Sequence, residues 1–364
     1  MKKKILYLFS DTGGGHRSGA KALMNAVEGL KPGKFEQEMV DVFAECSGFL
    51  NIFARLYAPV IKFSPRMWGT LYYFLDDEKK LEQLEAISRP FILKDLTKLI
   101  KKTKPDAIVS VHPLVNHLTA QAIADSGLKI PFIVVVMDPV TLHRAWITPK
   151  VDLCLVATEA AKKLAVKYGM PVKKIKVDGM PIDPRFAKGP QKKKIPHKFT
   201  VLLMGGGEGA GGMYEIIEAV DQAKLKVQLI VICGRNQKLE EKLKAEAPNF
   251  SFPIKVYGFT DQVPQIMSQS DLIITKAGPG SIAEALAMNL PIIITSWLPG
   301  QEEGNVRFVE EAKVGQVTQD PQKVVEIIKD LQDPNEYKKI QKNIERARKP
   351  HAAFDIAADI IKYL

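Results

Sequence analysis

Short apolar runs recur along the chain, and most are separated by stretches with a helical period. Ile5–Ser10, Ala107–Val111, Phe132–Met137, Leu153–Ala157 and Ile175–Asp178 read as buried strands. Thr200–Met204, Val227–Cys233, Lys255–Tyr257, Leu272–Thr275 and Pro291–Thr295 continue the series. Brief apolar runs without polar alternation suit a parallel sheet covered on both faces. Helical periods fall at Ser18–Leu30, Leu114–Ser126, Met213–Ala223 and Gln237–Glu246. Alternation of this kind predicts an α/β chain with right-handed crossovers and about five strands on either side of a break. The break is Pro184–His197, PRFAKGPQKKKIPH, whose prolines and lysine run read as a linker. The predicted division is a first doubly wound domain at 1–186, a second at 187–350, and a helix at 351–364 that crosses back to the first.

A chain of 364 residues with 46% hydrophobic residues can build two cores. No apolar stretch is long enough to span a bilayer. Met-Lys-Lys-Lys resembles the start of a signal peptide, but Ile5–Ser10 is too short for its apolar region. Cys46, Cys154 and Cys233 are scattered, form no metal spacing, and fit a reducing cytoplasm. The charge is more informative. Residues 1–186 hold 28 Lys and Arg against 19 Asp and Glu, so this half carries +9 of the total +11. An anionic partner for this half is expected, either nucleic acid or an acidic membrane surface.

The segment Cys46–Phe74 interrupts the alternation. It mixes apolar and aromatic residues with Arg55, Lys62 and Arg66 and has no acid after Glu45. That composition suits a segment lying in the headgroup zone of a membrane, or else a buried helical hairpin. Aromatics with arginines also stack RNA bases. No RNA module signature accompanies them, so nucleic acid is not an expected partner.

Glycines follow the strands at the predicted sheet edges. Ser10-Asp-Thr-Gly-Gly-Gly-His16 comes after the first run, and Met204-Gly-Gly-Gly-Glu-Gly-Ala-Gly-Gly212 after the run that opens the second half. Gly14 and Gly15 let backbone approach a ligand closely. His16 and Arg17 then open a helix. His16 can take a proton from an attacking hydroxyl, or simply bind the acceptor. Asp11 can orient its imidazole or cap the turn. His112 ends another strand and His117 follows it onto a helix. Asp138 follows the Pro131–Met137 run and is a second candidate base, with His143 and Trp146 shaping an acceptor pocket.

The richest stretch is Lys276–Asn305, KAGPGSIAEALAMNLPIIITSWLPGQEEGN. A Gly-Pro-Gly turn leads from a strand to a helix expected to begin at Ser281, with Glu284 at capping-box spacing. Such an end gathers free N–H groups and the positive end of a helix dipole, which suits a phosphate. The candidate donor-site residues are Gly205, Gly206, Gly207, Phe259, Lys276, Gly278, Pro279, Gly280, Ser281, Glu284, Gln301, Glu302 and Asn305. Phe259 can stack on a base or be ordinary core. No Gly-Lys-Ser/Thr and no Asp-X-Asp occurs, so no P-loop is expected. Neither a metal nor a cofactor is expected, and diphosphate would be met by helix N-termini and Lys276.

These motifs resemble the monogalactosyldiacylglycerol synthases and bacterial diacylglycerol glycosyltransferases, and more remotely the MurG-type enzymes. The marks are SDTGGGHRSGA at 10–20, VSVHPLVNH at 109–117, DPVTLHRAW at 138–146, KVDGMPIDPRF at 176–186, LLMGGGEGAGG at 202–212, and KAGPGSIAEAL with PGQEEGN within 276–305. The resemblance implies a GT-B fold, two Rossmann-like domains facing across a cleft. It implies a UDP-hexose donor held by the second domain and diacylglycerol admitted by the first. Galactose or glucose would pass to the 3-hydroxyl with inversion, to a β-glycoside. By the same resemblance His16 matches the acceptor-activating position and Glu284 the ribose-holding acid. Gln301 and Glu302 match the pair that reads the sugar, and Gly278–Ser281 the diphosphate loop. The 46–74 segment matches the membrane-associating region, which places the protein in the cytoplasm, peripheral to the inner face of the cell membrane. Asp138-Pro-Val-Thr-Leu-His143 departs from the relatives' Asp-Leu-Ser/Thr-Thr-Cys-His pattern. The plant enzymes' transit peptide is missing, which favours a bacterial type. The rival readings are N-acetylglucosamine transfer to a polyprenyl-linked acceptor, a UDP-sugar epimerase, and a UDP-sugar-binding regulator.

Overall fold

The computed structural model describes residues 2–11, 14–46, 64–190, 198–206 and 212–364. The chain forms two compact units. One comprises Met1–Pro184, Leu298–Gln301 and His351–Leu364; the other comprises Arg185–Trp297 and Glu302–Pro350.

The first unit is a parallel sheet of six described strands. They are β1 (Lys3–Phe9), β2 (Phe35–Asp41), β3 (Ala107–Ser110), β4 (Phe132–Val135), β5 (Leu153–Val156) and β6 (Ile175–Val177). Their order is β2-β1-β3-β4-β5-β6. The helices are α1 (Gly15–Leu30), the short α2 (Val42–Cys46), α3 (Pro65–Leu75), α4 (Glu78–Thr103), α5 (Asn116–Ser126) and α6 (Glu159–Lys167). Ile5 to Leu8 and all of β3 are fully buried, as strands covered on both faces must be. β2 is the strand that the apolar pattern misses. It reads FEQEMVD because it is an edge strand, and Lys4 on β1 pairs with its Glu36 and Glu38 at 3.1 and 2.6 Å.

The second unit holds β7 (Thr200–Met204), β8 (Gln228–Ile232), β9 (Ile254–Tyr257), β10 (Leu272–Lys276), β11 (Ile292–Ser296) and β12 (Gly315–Val317). Their order is β12-β11-β10-β7-β8-β9, again all parallel. Between them run α7 (Met213–Gln222), α8 (Gln237–Glu246), α9 (Val263–Gln269), α10 (Pro279–Ala287), α11 (Glu303–Glu311), α12 (Pro321–Asp330) and α13 (Pro334–Ala347). The three-residue edge strand β12 is also too short to show as an apolar run, so among the described residues each sheet has six strands rather than about five.

The stretch read as a linker is partly packed. A 3-10 turn spans Pro184–Lys188 and buries Phe186, while 191–197 lie outside the described residues. After α13 the chain returns to the first unit as α14 (Ala352–Lys362). Lys176 of β6 pairs there with Asp359, and Lys362 bonds the same carboxylate at 2.7 Å. A Cβ on Gly29 of α1 would sit 3.2 Å from the Phe354 ring, so a small residue lets α14 lie close.

In both sheets the strand order reverses once. After β2 the chain crosses to the other side of β1 to make β3. After β9 it crosses to the other side of β7 to make β10. The carboxyl ends of β1 and β3, and of β7 and β10, therefore diverge into crevices of the kind where open α/β sheets bind ligands.

Gly315 shows how tightly the second sheet closes. A Cβ there would lie 1.9 Å from the backbone oxygen of Ile292. Gly315→Ala should force β12 off β11 and destabilise the second unit by about 1–3 kcal/mol, the usual cost of overpacking. Urea unfolding followed by circular dichroism checks this, and an unchanged midpoint contradicts it.

Candidate active site

The crevice of the first unit collects the aromatic and acidic side chains singled out in the sequence. His16 stands in the first turn of α1. Gly14, at φ 83°, supplies the left-handed turn that brings the chain from β1 into that helix. His16 Nδ1 lies 2.7 Å from the backbone oxygen of Val111, at the end of β3. A carbonyl only accepts, so Nδ1 carries the proton and Nε2 keeps its lone pair. From its place in the motif, Asp11 is expected to orient this imidazole or cap the turn. Instead its carboxylate binds Arg17 at 3.0 Å, and Val111 does the orienting. Arg17 also lies over the Phe9 ring at 4.7 Å.

His112, buried, meets His16 edge to face with ring centroids 4.6 Å apart, and the Phe43 ring also packs against it at 5.3 Å. Trp146 is fully buried with its ring 6.0 Å from His16. Its indole N–H donates to Asp138 Oδ2 at 2.6 Å. Asn116 at the start of α5 donates to the Trp146 carbonyl at 3.1 Å. His143 Nδ1 accepts from Ala145 N–H at 3.1 Å. Thus His16, His112, Asp138 and Trp146 form one cluster, with His143 on the loop beside it.

Low polarity sets the protonation here. Burial pushes the His16 imidazole down to about 4, against the raising effects of the Val111 carbonyl and Asp11. Burial, followed by the charge of His16, holds His112 well below its ordinary value. His143 is also lowered by burial, against Asp76. His16 is therefore a neutral imidazole at neutral pH, which is the form a general base needs.

His117 does not join the cluster. It faces Glu85 of α4 at 3.3 Å, and burial raises that carboxyl to about 7.

The crevice of the second unit is lined differently. Gly205 and Gly206 leave β7, and Gly206 takes φ 71°. A Cβ on Gly206 would come 3.2 Å from Lys276 Cε, so Lys276 lies across this turn. Lys276 Nζ pairs with the buried Glu302 at 2.7 Å, and its charge is offset there. Asn305 donates to the Ala277 carbonyl at 2.9 Å. Gly207 lies outside the described residues.

The helix after β10 begins at Pro279, with Gly278 before it and no side-chain cap. This corrects the start expected at Ser281 and removes the capping box. Proline suits the first helical position, since its ring presets φ and its missing N–H would have no intrahelical partner. Gly280 and Ser281 then supply first-turn amides, and Glu284 is half-buried further along α10. Gln301 lies half-buried in the loop after β11, just before Glu302. Phe259 follows β9 and is 72% exposed, with the Arg235 guanidinium 5.7 Å from its ring, which excludes the core alternative.

Sequence reading overlooked Val111, Asn116, Phe43 and Asp76. Val111 acts through its carbonyl, which has no side-chain signal. Asn116 stands within the quoted VSVHPLVNH motif, beside the histidines that drew notice.

Two parallel doubly wound units with these strand-end loops define a GT-B fold, the architecture of many nucleotide-sugar enzymes. Acinetobacter baumannii MurG has the same fold, with a TM-score of 0.64 over 99% of both chains at 16% identity. Anabaena HepE, solved with UDP and glucose, gives 0.57 over 100% of both chains at 13% identity. The monogalactosyldiacylglycerol synthase model matches residues 16–182, and the glycosyltransferase family 28 C-terminal domain matches 200–360. The spinach (Spinacia oleracea) chloroplastic monogalactosyldiacylglycerol synthase is 34% identical, over 98% of this chain and 72% of its own length. The chain belongs to the monogalactosyldiacylglycerol synthase family.

The His16 environment has a measurable consequence. Between pH 6.5 and about 4 the unfolded chain binds a proton that the folded His16 refuses, so its contribution to stability falls as pH drops through that window. In NMR titrations the His16 ring, assigned by its loss in His16→Gln, should titrate near 4. A midpoint near 6.5 would contradict the desolvated, neutral imidazole.

Proposed function

We propose that this protein transfers galactose, or else glucose, from a UDP-hexose to the 3-hydroxyl of 1,2-diacylglycerol, giving a β-monohexosyldiacylglycerol. The observation that carries the chemistry is the Val111 carbonyl on His16 Nδ1. It fixes the tautomer that leaves Nε2 as the base, in a pocket that keeps the ring neutral. Family membership supplies the substrate class.

In this reading the acceptor hydroxyl gives its proton to His16 Nε2 while its oxygen attacks the anomeric carbon. The bond from that carbon to the UDP oxygen breaks on the opposite face, and UDP departs with the electron pair, so the centre inverts. Asp138 is the rival base. Its Oδ2 already accepts the Trp146 indole proton, which favours His16 for proton removal. Gly14, Gly15, Arg17, His112, His143 and Trp146 border the acceptor. Gly205, Gly206, Phe259, Gly278–Ser281, Glu284, Gln301, Glu302 and Asn305 receive the donor. The N-terminus of α10 would stabilise the leaving diphosphate. Lys276 would exchange part of its pairing with Glu302 for phosphate.

The first unit also carries an apolar face suited to a lipid surface. Met67, Leu71 and Phe74 recur at helical spacing on α3 and are exposed, as are Ile87 and Phe91 on α4. With the excess positive charge of this half, that face supports peripheral docking on an anionic leaflet. Residues 47–63 of the aromatic segment lie outside the described residues. No described helix is long and apolar enough to cross a membrane.

Purified protein with diacylglycerol vesicles and UDP-galactose, UDP-glucose or UDP-N-acetylglucosamine, followed by mass spectrometry and linkage NMR, tests the reaction. A β-hexosyl diacylglycerol from a hexose donor is expected. His16→Ala should lower turnover about 10²–10⁴-fold, the usual size of a general-base contribution, with UDP affinity within twofold. UDP binding without a lipid product from any donor would favour the regulatory reading. Undiminished turnover in His16→Ala would remove His16 from proton transfer.

A further inference from the structure

We infer that Asp76 is a positioning residue that transmits docking of α3 to the loop carrying His143 and Trp146. The inference rests on the proposed reaction for its substrate, but its contacts are independent of it. Asp76 is the residue after α3, and its N–H caps the helix on the Tyr72 and Tyr73 carbonyls at 3.1 and 3.3 Å. Its carboxylate turns away from the helix. Oδ1 accepts the Arg144 backbone N–H at 2.8 Å and lies 4.0 Å from His143 Nε2. Oδ2 accepts the Tyr168 hydroxyl at 3.3 Å. The next residue, Asp77, behaves differently and caps α4 by accepting Lys80 N–H at 3.1 Å.

A negative side chain at a helix C-terminus opposes the helix dipole. Asp76 therefore gains nothing from the dipole of α3, and its side-chain bonds serve the loop. Tyr72, one turn back, reaches the same loop. Its ring is 4.9 Å from His143, and its hydroxyl donates to the Thr141 carbonyl at 3.5 Å. Within the loop, Ala145 N–H on His143 leads to Trp146, and Trp146 holds Asp138. An unbroken chain of contacts thus runs from a helix whose outer face shows Met67, Leu71 and Phe74 to the side chains around His16. Movement of α3 on a lipid surface would shift Asp76 and with it the acceptor wall.

The test reads Trp146 directly. The chain has three tryptophans, and replacing Trp68 and Trp297 by Phe leaves Trp146 as the reporter. Vesicles of phosphatidylcholine, phosphatidylglycerol and diacylglycerol should shift its emission. Asp76→Ala should bind the same vesicles within twofold, lose the shift, and lower turnover about tenfold or more with a raised acceptor KM and unchanged UDP affinity. Asp76→Asn, whose carbonyl still accepts Arg144 N–H, should fall between. Thermal melts verify that both variants fold. If Asp76→Ala keeps the shift and the turnover, the coupling is overturned. If it loses vesicle binding, its role is in docking and the coupling is again overturned. A normal Trp146 shift without any glycolipid product would sink the proposed reaction while leaving the coupling in place.

Discussion

Peptide groups in a strand buried on both faces have no water to bond, so they must pair with neighbouring strands. In both units the strands pair in parallel throughout, and parallel pairing requires crossovers. Each sheet starts at an interior strand and builds outward in two directions, so one pair of adjacent carboxyl ends must part. The His16 cluster and the glycine turns beside Lys276 occupy those two partings. His16 follows β1 and Val111 follows β3; Gly205 follows β7 and Lys276 ends β10. The 2.7 Å contact between His16 and Val111 spans the first parting.

The two crevices handle charge in opposite ways. In the first, desolvation holds the His16 and His112 imidazoles neutral. The second has a balanced pair in Lys276 and Glu302, and a helix N-terminus begun by proline with no side-chain cap. In the proposed displacement the first unit would supply a neutral base and the second a helix N-terminus for the departing diphosphate. Each is built by one unit, and the return of α14 to the first unit joins the chain's ends to that division.

Much of this was legible in the sequence because buried parallel strands are written as plain apolar runs. The strands that escaped were edges. β2 carries Glu36 and Glu38 because one side of it faces solvent and Lys4, and β12 has three residues. The glycine turns and the histidines at strand ends were visible because positive φ and strand-end polarity leave marks in residue type. The tautomer of His16 left none, since a backbone carbonyl sets it. Asp76 was invisible for another reason. Beside Asp77 it looks like half of an ordinary helix-start pair, and only the fold places it against Arg144, 68 residues away. The helix boundary at Pro279 was misplaced because Ser281 and Glu284 mimic a capping box that the proline makes unnecessary.

In the proposed reaction the two partings divide the labour, with nucleotide in the second unit and acceptor chemistry in the first. Hydrogen–deuterium exchange of the whole protein with and without UDP tests it most directly. Slowed exchange is expected in the peptides covering 204–206, 276–287 and 302–311, with 14–30, 110–118 and 138–147 unchanged until diacylglycerol vesicles are added. Protection by UDP confined to the loops around His16 and Trp146 would contradict it.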